Sequence, residues 1–289
     1  MTKKVLITGA NGQLGYELPR TVPIGYECIL TDVDTLDITD SDAVNAFITV
    51  HKPEVIINSA AYTAVDKAEQ EPALATAINE IGARNLAQAS KNHGIKLIQT
   101  STDFVFNGKG CSPYLVDAIT DPEGVYGQTK AAGDQAVIEI LGRNAFIIRT
   151  AWLYSAHGNN FVKTMLRLMV EREVLGVIAD QIGTPTWANS LAKAIWQAIE
   201  INATGMHHWT DAGVASWYDF AVAIQEEGIK VGLLDKKILI NPLTTADYPT
   251  PASRPAYSVL DKSVTWKTLG MQSEHWRDGL RKMLLELRN

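Results

Sequence analysis

Val5-Leu6-Ile7-Thr8-Gly9-Ala10-Asn11-Gly12-Gln13-Leu14-Gly15 sets a short β-rich run against a turn with a glycine at every third position. The run reads as a strand and Leu14–Pro19 beyond it as a helix, so Gly9, Gly12 and Gly15 fall where strand gives way to helix. Small residues there let the backbone turn tightly and approach a phosphate, while the helix N-terminus offers unpaired N–H groups. The Gly-x-x-Gly-x-x-Gly spacing differs by one residue from the usual dinucleotide fingerprint. A plain strand-to-helix connection could also hold three glycines. Placement at the first strand of an alternating series is what points to a dinucleotide.

That alternation runs outward from the turn. Strand-like runs at Val5–Thr8, Cys28–Thr31, Val55–Asn58, Lys96–Thr100 and Ala145–Arg149 are separated by helical patterns at Leu14–Pro19, Ser41–His51, Pro72–Asn92 and Tyr126–Leu141. This is the signature of a parallel sheet with crossover helices. Asp40 or Ser41 can cap the second helix. The unbroken apolar run Val55-Ile56-Ile57 suits a strand covered on both faces. The predicted fold is therefore α/β: a doubly wound, Rossmann-type parallel sheet over residues 1–150 that binds a dinucleotide. Residues 151–289 are expected to form a smaller, irregular and mainly substrate-binding region, with some segments returning to the cofactor half. Helical patterns recur there at Phe161–Arg172, Trp187–Glu200, Ser216–Glu227 and Ser273–Leu287. Asn241–Pro255, dense in Pro, Thr and Ser, reads as a long loop.

The bulk numbers narrow the class of function. The 289 residues carry a formal net charge of −6 with no clustered Lys and Arg, which argues against nucleic acid as a partner. No apolar run approaches the roughly 20 residues of a membrane span, and Met1-Thr2-Lys3-Lys4 leads into a strand rather than a secretory core. A cytoplasmic location is expected, with no membrane partner. Cys28 and Cys111 form neither a disulfide framework nor a metal spacing, and read as a packing and a loop residue. Adjacent His207 and His208 would face opposite ways on a strand, so no metal site is predicted. Trp187, Trp196, Trp209, Trp217, Trp266 and Trp276 read as core anchors.

The second strand ends in Thr31-Asp32-Val33-Asp34. An acid about 20 residues beyond the glycines bonds the adenosine ribose hydroxyls. Asp32 fills that role, with Asp34 competing for it. No Lys or Arg lies between Arg20 and His51, so no local partner exists for a 2′-phosphate. NADH should be accepted, and NADPH if a basic residue comes from elsewhere.

Tyr126-Gly127-Gln128-Thr129-Lys130 opens a helical segment, which puts the phenol and the ammonium on one face. The Lys130 charge is expected to favour the phenolate and bring Tyr126 toward its working range as a proton-transfer group. Gln99-Thr100-Ser101-Thr102-Asp103 ends a strand with hydroxyls that would face the ligand crevice. One of them, Ser101 or Thr102, can polarise a substrate carbonyl; the two point to opposite faces if the strand persists. The glycine loop with Thr102, Tyr126 and Lys130 resembles the short-chain dehydrogenase set, to which Asn79 would add the supporting Asn.

The resemblance extends further. Ser59–Glu69, Ser101-Thr102-Asp103-Phe104-Val105-Phe106 and Arg149-Thr150-Ala151-Trp152-Leu153-Tyr154 are similar to blocks of the dTDP-4-dehydrorhamnose reductase family. So are Gly158-Asn159-Asn160-Phe161, Asp180–Thr186 and Tyr248-Pro249-Thr250-Pro251-Ala252-Ser253-Arg254-Pro255, in family order over nearly the whole chain. The resemblance implies reduction of the 4-keto group of dTDP-4-dehydro-L-rhamnose, a nucleotide sugar, for bacterial surface polysaccharide. It implies that Gly12, Gln13 and Leu14 line the pyrophosphate, that Asp32, Asp37 and Ile38 lie near the adenosine, and that Ala60, Ala61, Tyr62 and Thr100 flank the nicotinamide. Thr102 and Asp103 would contact the sugar, Tyr126 would donate the proton, Lys130 would hold the ribose, and Trp152, Asn160 and Arg254 would contact the sugar nucleotide. Some members dimerise around Mg²⁺ held by carboxylates. Glu17 matches the first such position, but Asn189 stands at the second, so a monomer or a Mg²⁺-independent homodimer is expected. Rival readings are a nucleotide-sugar epimerase or dehydratase of the same superfamily and a non-catalytic regulatory subunit on this fold. Against a dehydratase, Phe104 rather than Glu follows Asp103.

Overall fold

The computed structural model describes residues 2–288. Its central sheet has six parallel strands: β1 (Lys3–Thr8), β2 (Tyr26–Thr31), β3 (Val55–Asn58), β4 (Lys96–Thr102), β5 (Phe146–Thr150) and β6 (Gly205–His208). They lie in the order β2-β1-β3-β4-β5-β6. The direction of winding reverses between β1 and β3. Open α/β sheets form their ligand crevice at such a switch, beyond the carboxyl ends of the strands.

Alternating side chains build a core on each face of the sheet. Val5, Ile7, Val55, Ile57, Ile98, Phe146 and Ile148 pack with Leu14 and Leu18 of the helix Gln13–Arg20 and with the helix Ala188–Glu200. Leu6, Ile56, Leu97 and Ile147 pack on the other face with Val44, Ile48, Leu86 and Val137, from the helices Ser41–His51, Ala83–His93 and Val125–Leu141. Each such apolar side chain contributes about 1.5–3 kcal/mol on full burial. Asp40 caps Ser41–His51, accepting from the backbone N–H groups of Asp42 and Ala43.

The rest of the chain divides its loyalties. Ala188–Glu200 and β6 return to the sheet, and the Trp196 indole N–H donates to the Leu18 carbonyl at 2.9 Å. A third core gathers Val162, Met165, Phe220, Ile224, Trp276 and Leu280 from the helices Phe161–Glu171, Trp217–Lys230 and Trp276–Arg288.

Several elements differ from expectation. Pro72–Asn92 is not one α-helix: a π segment, Ala77–Gly82, separates Pro72–Thr76 from Ala83–His93. The predicted Asn241–Pro255 loop begins inside a strand, Leu239–Leu243, paired in parallel with Val174–Ile178. This ladder has only two strands, so Pro242 sits on an edge, where proline is tolerated. Ser216 and Trp187 are N-caps rather than helical residues, and Ser273 lies before the last helix, which starts at Trp276. The short helix Ser263–Leu269 was not anticipated.

Candidate active site

A cavity of about 830 Å³ opens at the carboxyl ends of β1 to β5, on the β1/β3 switch. Gly9, Gly12, Gln13, Leu14, Asp32, Asp37, Ile38, Ala60 and Ala61 line it together with Thr100, Thr102, Asp103, Tyr126, Lys130, Trp152 and Asn160. Gly15, Tyr62 and Arg254 are absent from its wall.

The three glycines serve different needs. Gly9 has φ +68°, and a Cβ there would lie 2.6 Å from the Ala60 backbone. A Cβ on Gly15 would clash with the Gly9 carbonyl, so Gly15 lets the first helix pack on the loop and does not touch the ligand space. Gly12 would meet only Gly9 O, at 3.3 Å, and its open side faces the cavity. Asp32 is fixed by the backbone N–H groups of Asn11 at 2.9 Å and Val33 at 2.8 Å. Asp34 does not reach the cavity. Asn160 donates to the Gln13 side chain at 3.0 Å and to Ser155 O at 2.7 Å, which brings the Ser155–Asn160 loop over the glycine turn.

Beneath the cavity a polar ladder crosses three strands. Thr8 Oγ1 donates to Asn58 at 2.7 Å, and Asn58 Nδ2 to Gln99 at 2.8 Å. Three buried oxygens on lining residues have no partner among the described residues: Thr100 Oγ1, Thr150 Oγ1 and Asp103 Oδ2. A buried polar atom without a partner is costly unless a ligand or water satisfies it. These atoms, the glycine cradle and the placement of Asp32 fit a dinucleotide and a polar substrate.

β4 runs two residues further than expected, to Thr102, which keeps Ser101 and Thr102 on opposite sides. Ser101 Oγ donates to Asp134 Oδ2 at 2.6 Å, whereas Thr102 Oγ1 donates to Asp103 Oδ1 at 3.0 Å. The Thr102 side chain also accepts from Phe104 N at 3.2 Å. Tyr126 and Lys130 lie one turn apart on Val125–Leu141. Burial first, and then the charges of Asp103 and Asp134, push the Tyr126 pKa up to about 12. The expectation that Lys130 would favour phenolate is not met, because burial dominates. Its Nζ donates to the Thr100 carbonyl at 2.7 Å, and burial pulls the ammonium's own pKa down against the opposing charge of Asp134.

Sequence reasoning missed Asp134, one further turn along that helix. It is buried and 3.6 Å from the equally buried Arg149 of β5. Asn79, on the π segment, accepts from Tyr62 N at 2.9 Å and donates to Tyr62 O and to Thr129. A Cβ on Gly133 would clash with the Asn79 carbonyl, so Gly133 admits the π segment to the helix that carries Tyr126 and Lys130. Burial pushes Asp103 up to about 6, against hydrogen bonds from Ser258 and Thr102.

Tyr62 places its backbone against Asn79 but turns its hydroxyl to Glu71 Oε2 at 2.5 Å. Arg254 makes a two-point ion pair with Asp66, at 2.7 and 3.1 Å, which ties the Pro-rich segment to the chain after β3. Trp152 has φ +49°, a left-handed backbone that costs a bulky residue on the order of 1–2 kcal/mol. Its indole stacks on Trp217 with centroids 3.6 Å apart and planes at 7°. Such a pair contributes about 0.5–1.5 kcal/mol beyond the area it buries, enough to offset much of that strain. Trp217 is therefore not only a core anchor.

Glu17 is fully buried, accepting from Ser155 Oγ at 2.7 Å and Asn189 Nδ2 at 3.0 Å, with Arg20 Nε at 3.6 Å. The nearby carboxylate Glu286 shares the same Arg20, at 3.4 Å, so Glu17, with a hydroxyl, an amide and this guanidinium around it, is already satisfied and does not fit Mg²⁺, which relies on anionic oxygens. His207 stacks on Phe146, and His208 meets Phe106 edge-on. Among the described residues no cluster of three His, Cys, Asp or Glu is placed to hold a metal.

Comparison with known proteins adds a family to this geometry. A family model described as the RmlD substrate binding domain matches residues 3–289. A dTDP-4-dehydrorhamnose reductase of Aggregatibacter actinomycetemcomitans is 42% identical over 288 residues, covering 97% of this chain and 98% of that protein. The crystal structure of a dTDP-4-dehydrorhamnose reductase from Clostridium acetobutylicum superposes with a TM-score of 0.93 at 41% identity, covering 99% and 100% of the two chains. A Bacillus anthracis dTDP-4-dehydrorhamnose reductase in complex with NADP gives 0.93 at 40% identity, with the same coverage.

Proposed function

Because the chain belongs to the dTDP-4-dehydrorhamnose reductase family, we propose that it reduces the 4-keto group of dTDP-4-dehydro-L-rhamnose to give dTDP-L-rhamnose, with Tyr126 as proton donor. The observation that carries this reading is the convergence of the glycine turn, Asp32, Thr102, Tyr126 and Lys130 on one cavity.

Bound reduced nicotinamide supplies the hydride to the carbonyl carbon. The protein's part is to bind, orient and protonate. Beyond the N-cap Gly12, whose own N–H donates to Gly9 O at 3.1 Å, Gln13 and Leu14 present backbone N–H groups at a helix N-terminus, which favours the pyrophosphate. Asp32 offers its carboxylate to the adenosine ribose. Tyr126, protonated at neutral pH, gives its proton to the carbonyl oxygen as charge develops there, with the Thr102 hydroxyl on the same cavity wall. Lys130 places a positive charge near the phenolate that remains, and Asp134 opposes the loss of that charge on burial. Asp103, Trp152 and Asn160, on the wall of the same cavity, are the side chains we assign to the sugar nucleotide. Arg254, held by Asp66, reaches the site only through the loop it fastens.

Among the described residues, Lys130 is the one Lys or Arg on the cavity wall, while Asp32 and Asp37, which we assign to the adenosine, stand on it too. This supports NADH as the better cofactor over NADPH, although the Bacillus anthracis relative was solved with NADP. Reduced nicotinamide and nucleotide sugar are both highly charged and confined to the cytoplasm, which supports a cytoplasmic location. No helix among the described residues is long and apolar enough to cross a membrane. The direct experiment adds dTDP-4-dehydro-L-rhamnose to protein and NADH. Nicotinamide absorbance should fall in proportion to the sugar added, and an unchanged absorbance with either cofactor would overturn the assignment.

A further inference from the structure

We infer that Gly183 and Trp217 form a preset seat that holds the Trp152 indole against the sugar nucleotide, which makes both of them positioning residues for substrate binding. The inference rests on the reading above that Trp152 faces the substrate. Three non-glycine residues have positive φ: Lys52, Trp152 and Asn202. Lys52 and Asn202 lie just past helices, where left-handed residues are common. Trp152 instead lies between β5 and the short strand Leu153–Tyr154, on the cavity wall. A bulky side chain adopts that backbone only when its surroundings impose it.

The surroundings are two-sided. Trp217 covers the indole face at 3.6 Å, and Phe161 backs Trp217 at 4.7 Å. Over the ring at Cε2 a Cβ on Gly183 would stand 2.5 Å from that atom and 2.7 Å from Cζ2 and Nε1, so the Gly183 backbone lies against an indole face. Gly183 lies outside the left-handed region, so the reason it is glycine is the indole and not its own backbone. The two halves of the seat are joined. Ile182–Gly183 pairs antiparallel with Ala215–Ser216, and Ser216 caps the helix that starts at Trp217 through a capping box with Asp219. The Trp152 carbonyl accepts from Thr186 N at 3.1 Å, which fastens the strained residue to the same segment. An aromatic wall fixed before binding loses little rotamer freedom when it meets its ligand. With its faces held by Trp217 and the Gly183 backbone, the indole presents its edge to the cavity.

The test compares Trp217→Ala, Trp217→Phe, Gly183→Ala and Trp152→Ala in the full chain, reading kcat, KM for dTDP-4-dehydro-L-rhamnose and the Kd for NADH. Trp217→Ala and Gly183→Ala should each raise the sugar-nucleotide KM about 10-fold, equivalent to about 1.4 kcal/mol. kcat should change far less, and NADH binding should hold. Trp217→Phe, which keeps an aromatic face, should recover most of the affinity. The near-ultraviolet circular dichroism of the stacked indoles should vanish in Trp217→Ala. Wild-type KM in Trp217→Ala and Gly183→Ala, alongside a raised KM in Trp152→Ala, would overturn the seat and leave the role of Trp152 standing. If Trp152→Ala itself binds the sugar nucleotide normally, the reading beneath the inference fails. A joint loss of kcat and NADH affinity would mark general damage to the fold and count against a positioning role. Should Trp217→Ala not fold, Gly183→Ala decides, because alanine accepts the Gly183 backbone.

Discussion

Tyr126 is half-buried on the cavity wall, and a phenol with its pKa pushed up to about 12 keeps its proton throughout the neutral range. Reduction consumes that proton, so the raised value suits a donor better than the lowered one expected from Lys130 alone. Tyr126→Phe keeps the ring, which meets Phe104 edge-on at 5.4 Å, and deletes only the acid. The turnover number should fall at least about 100-fold, the usual effect of losing a general acid, with the Kd for NADH unchanged. Near-normal turnover would remove Tyr126 from the mechanism. Beside the glycine turn, Asp32→Ala deletes an acceptor for the ribose and a repulsive charge toward a 2′-phosphate. Fluorescence titrations should show NADH weakened relative to NADPH; an unmoved ratio would leave Asp37 as the adenosine-end carboxylate. Tyr126, Lys130 and Asp32 could be read from sequence because helical spacing and strand-end position put them on known faces. Asp134 and Arg149 could not, since their pairing joins a helix to a strand across the β4–β5 crossover and no local pattern records it.

At the scale of elements, the helices Trp217–Lys230 and Trp276–Arg288 meet over Glu227, which is fully buried. Its carboxylate accepts from Arg281 at 2.9 Å, Arg277 at 3.0 Å and Lys230 at 3.0 Å. Those hydrogen bonds, Arg281 foremost, hold its pKa down to about 2 from 4.5. A depressed carboxylate contributes stability that is present above its unfolded value and is lost as pH falls through its folded value. Glu227→Gln should therefore lower the Tm at pH 7, with a loss of stability of about 1.5–3 kcal/mol, the usual contribution of hydrogen bonds to a charged group. The gap between wild type and variant should close between about pH 4.5 and 2. Thermal melts across that range are the check, and a gap independent of pH would show that packing rather than charge joins the two helices. This staple was invisible in sequence because its members lie about 50 residues apart. Apolar periodicity found the two helices themselves. It could not find the π segment at Ala77–Gly82, because one extra residue in a turn hardly disturbs the period over so short a stretch. Nor could it find β6, whose Gly205-Met206-His207-His208 becomes a strand only by lying against β5.

For the whole molecule, the question is what Glu17 does, since relatives that assemble through Mg²⁺ would use a carboxylate at this place. Here Glu17 Oε1 takes a hydrogen bond from Ser155, in the segment that leads over the glycine turn, and Oε2 takes one from Asn189, at the start of the helix Ala188–Glu200. Glu17 thus fastens the first helix to two segments of the second half, and its binding capacity is used inside the chain. Arg20 at 3.6 Å supplies the neutralising charge that a metal would otherwise bring. A divalent cation would have to displace that guanidinium and accept a neutral amide in place of a carboxylate, an unfavourable exchange for a hard ion. In a symmetric dimer the loss would occur twice. Sedimentation velocity should therefore give the same molecular mass with millimolar Mg²⁺ and with excess chelator, whether the chain runs as a monomer or as a dimer on another surface. Asn189→Glu sharpens the comparison: it would place two carboxylates together and should lower the Tm in chelator, with Mg²⁺ restoring part of the loss. A wild-type dimer that falls apart when Mg²⁺ is stripped would refute this account, and would mean that Glu17 turns outward from Ser155 and Asn189 on assembly.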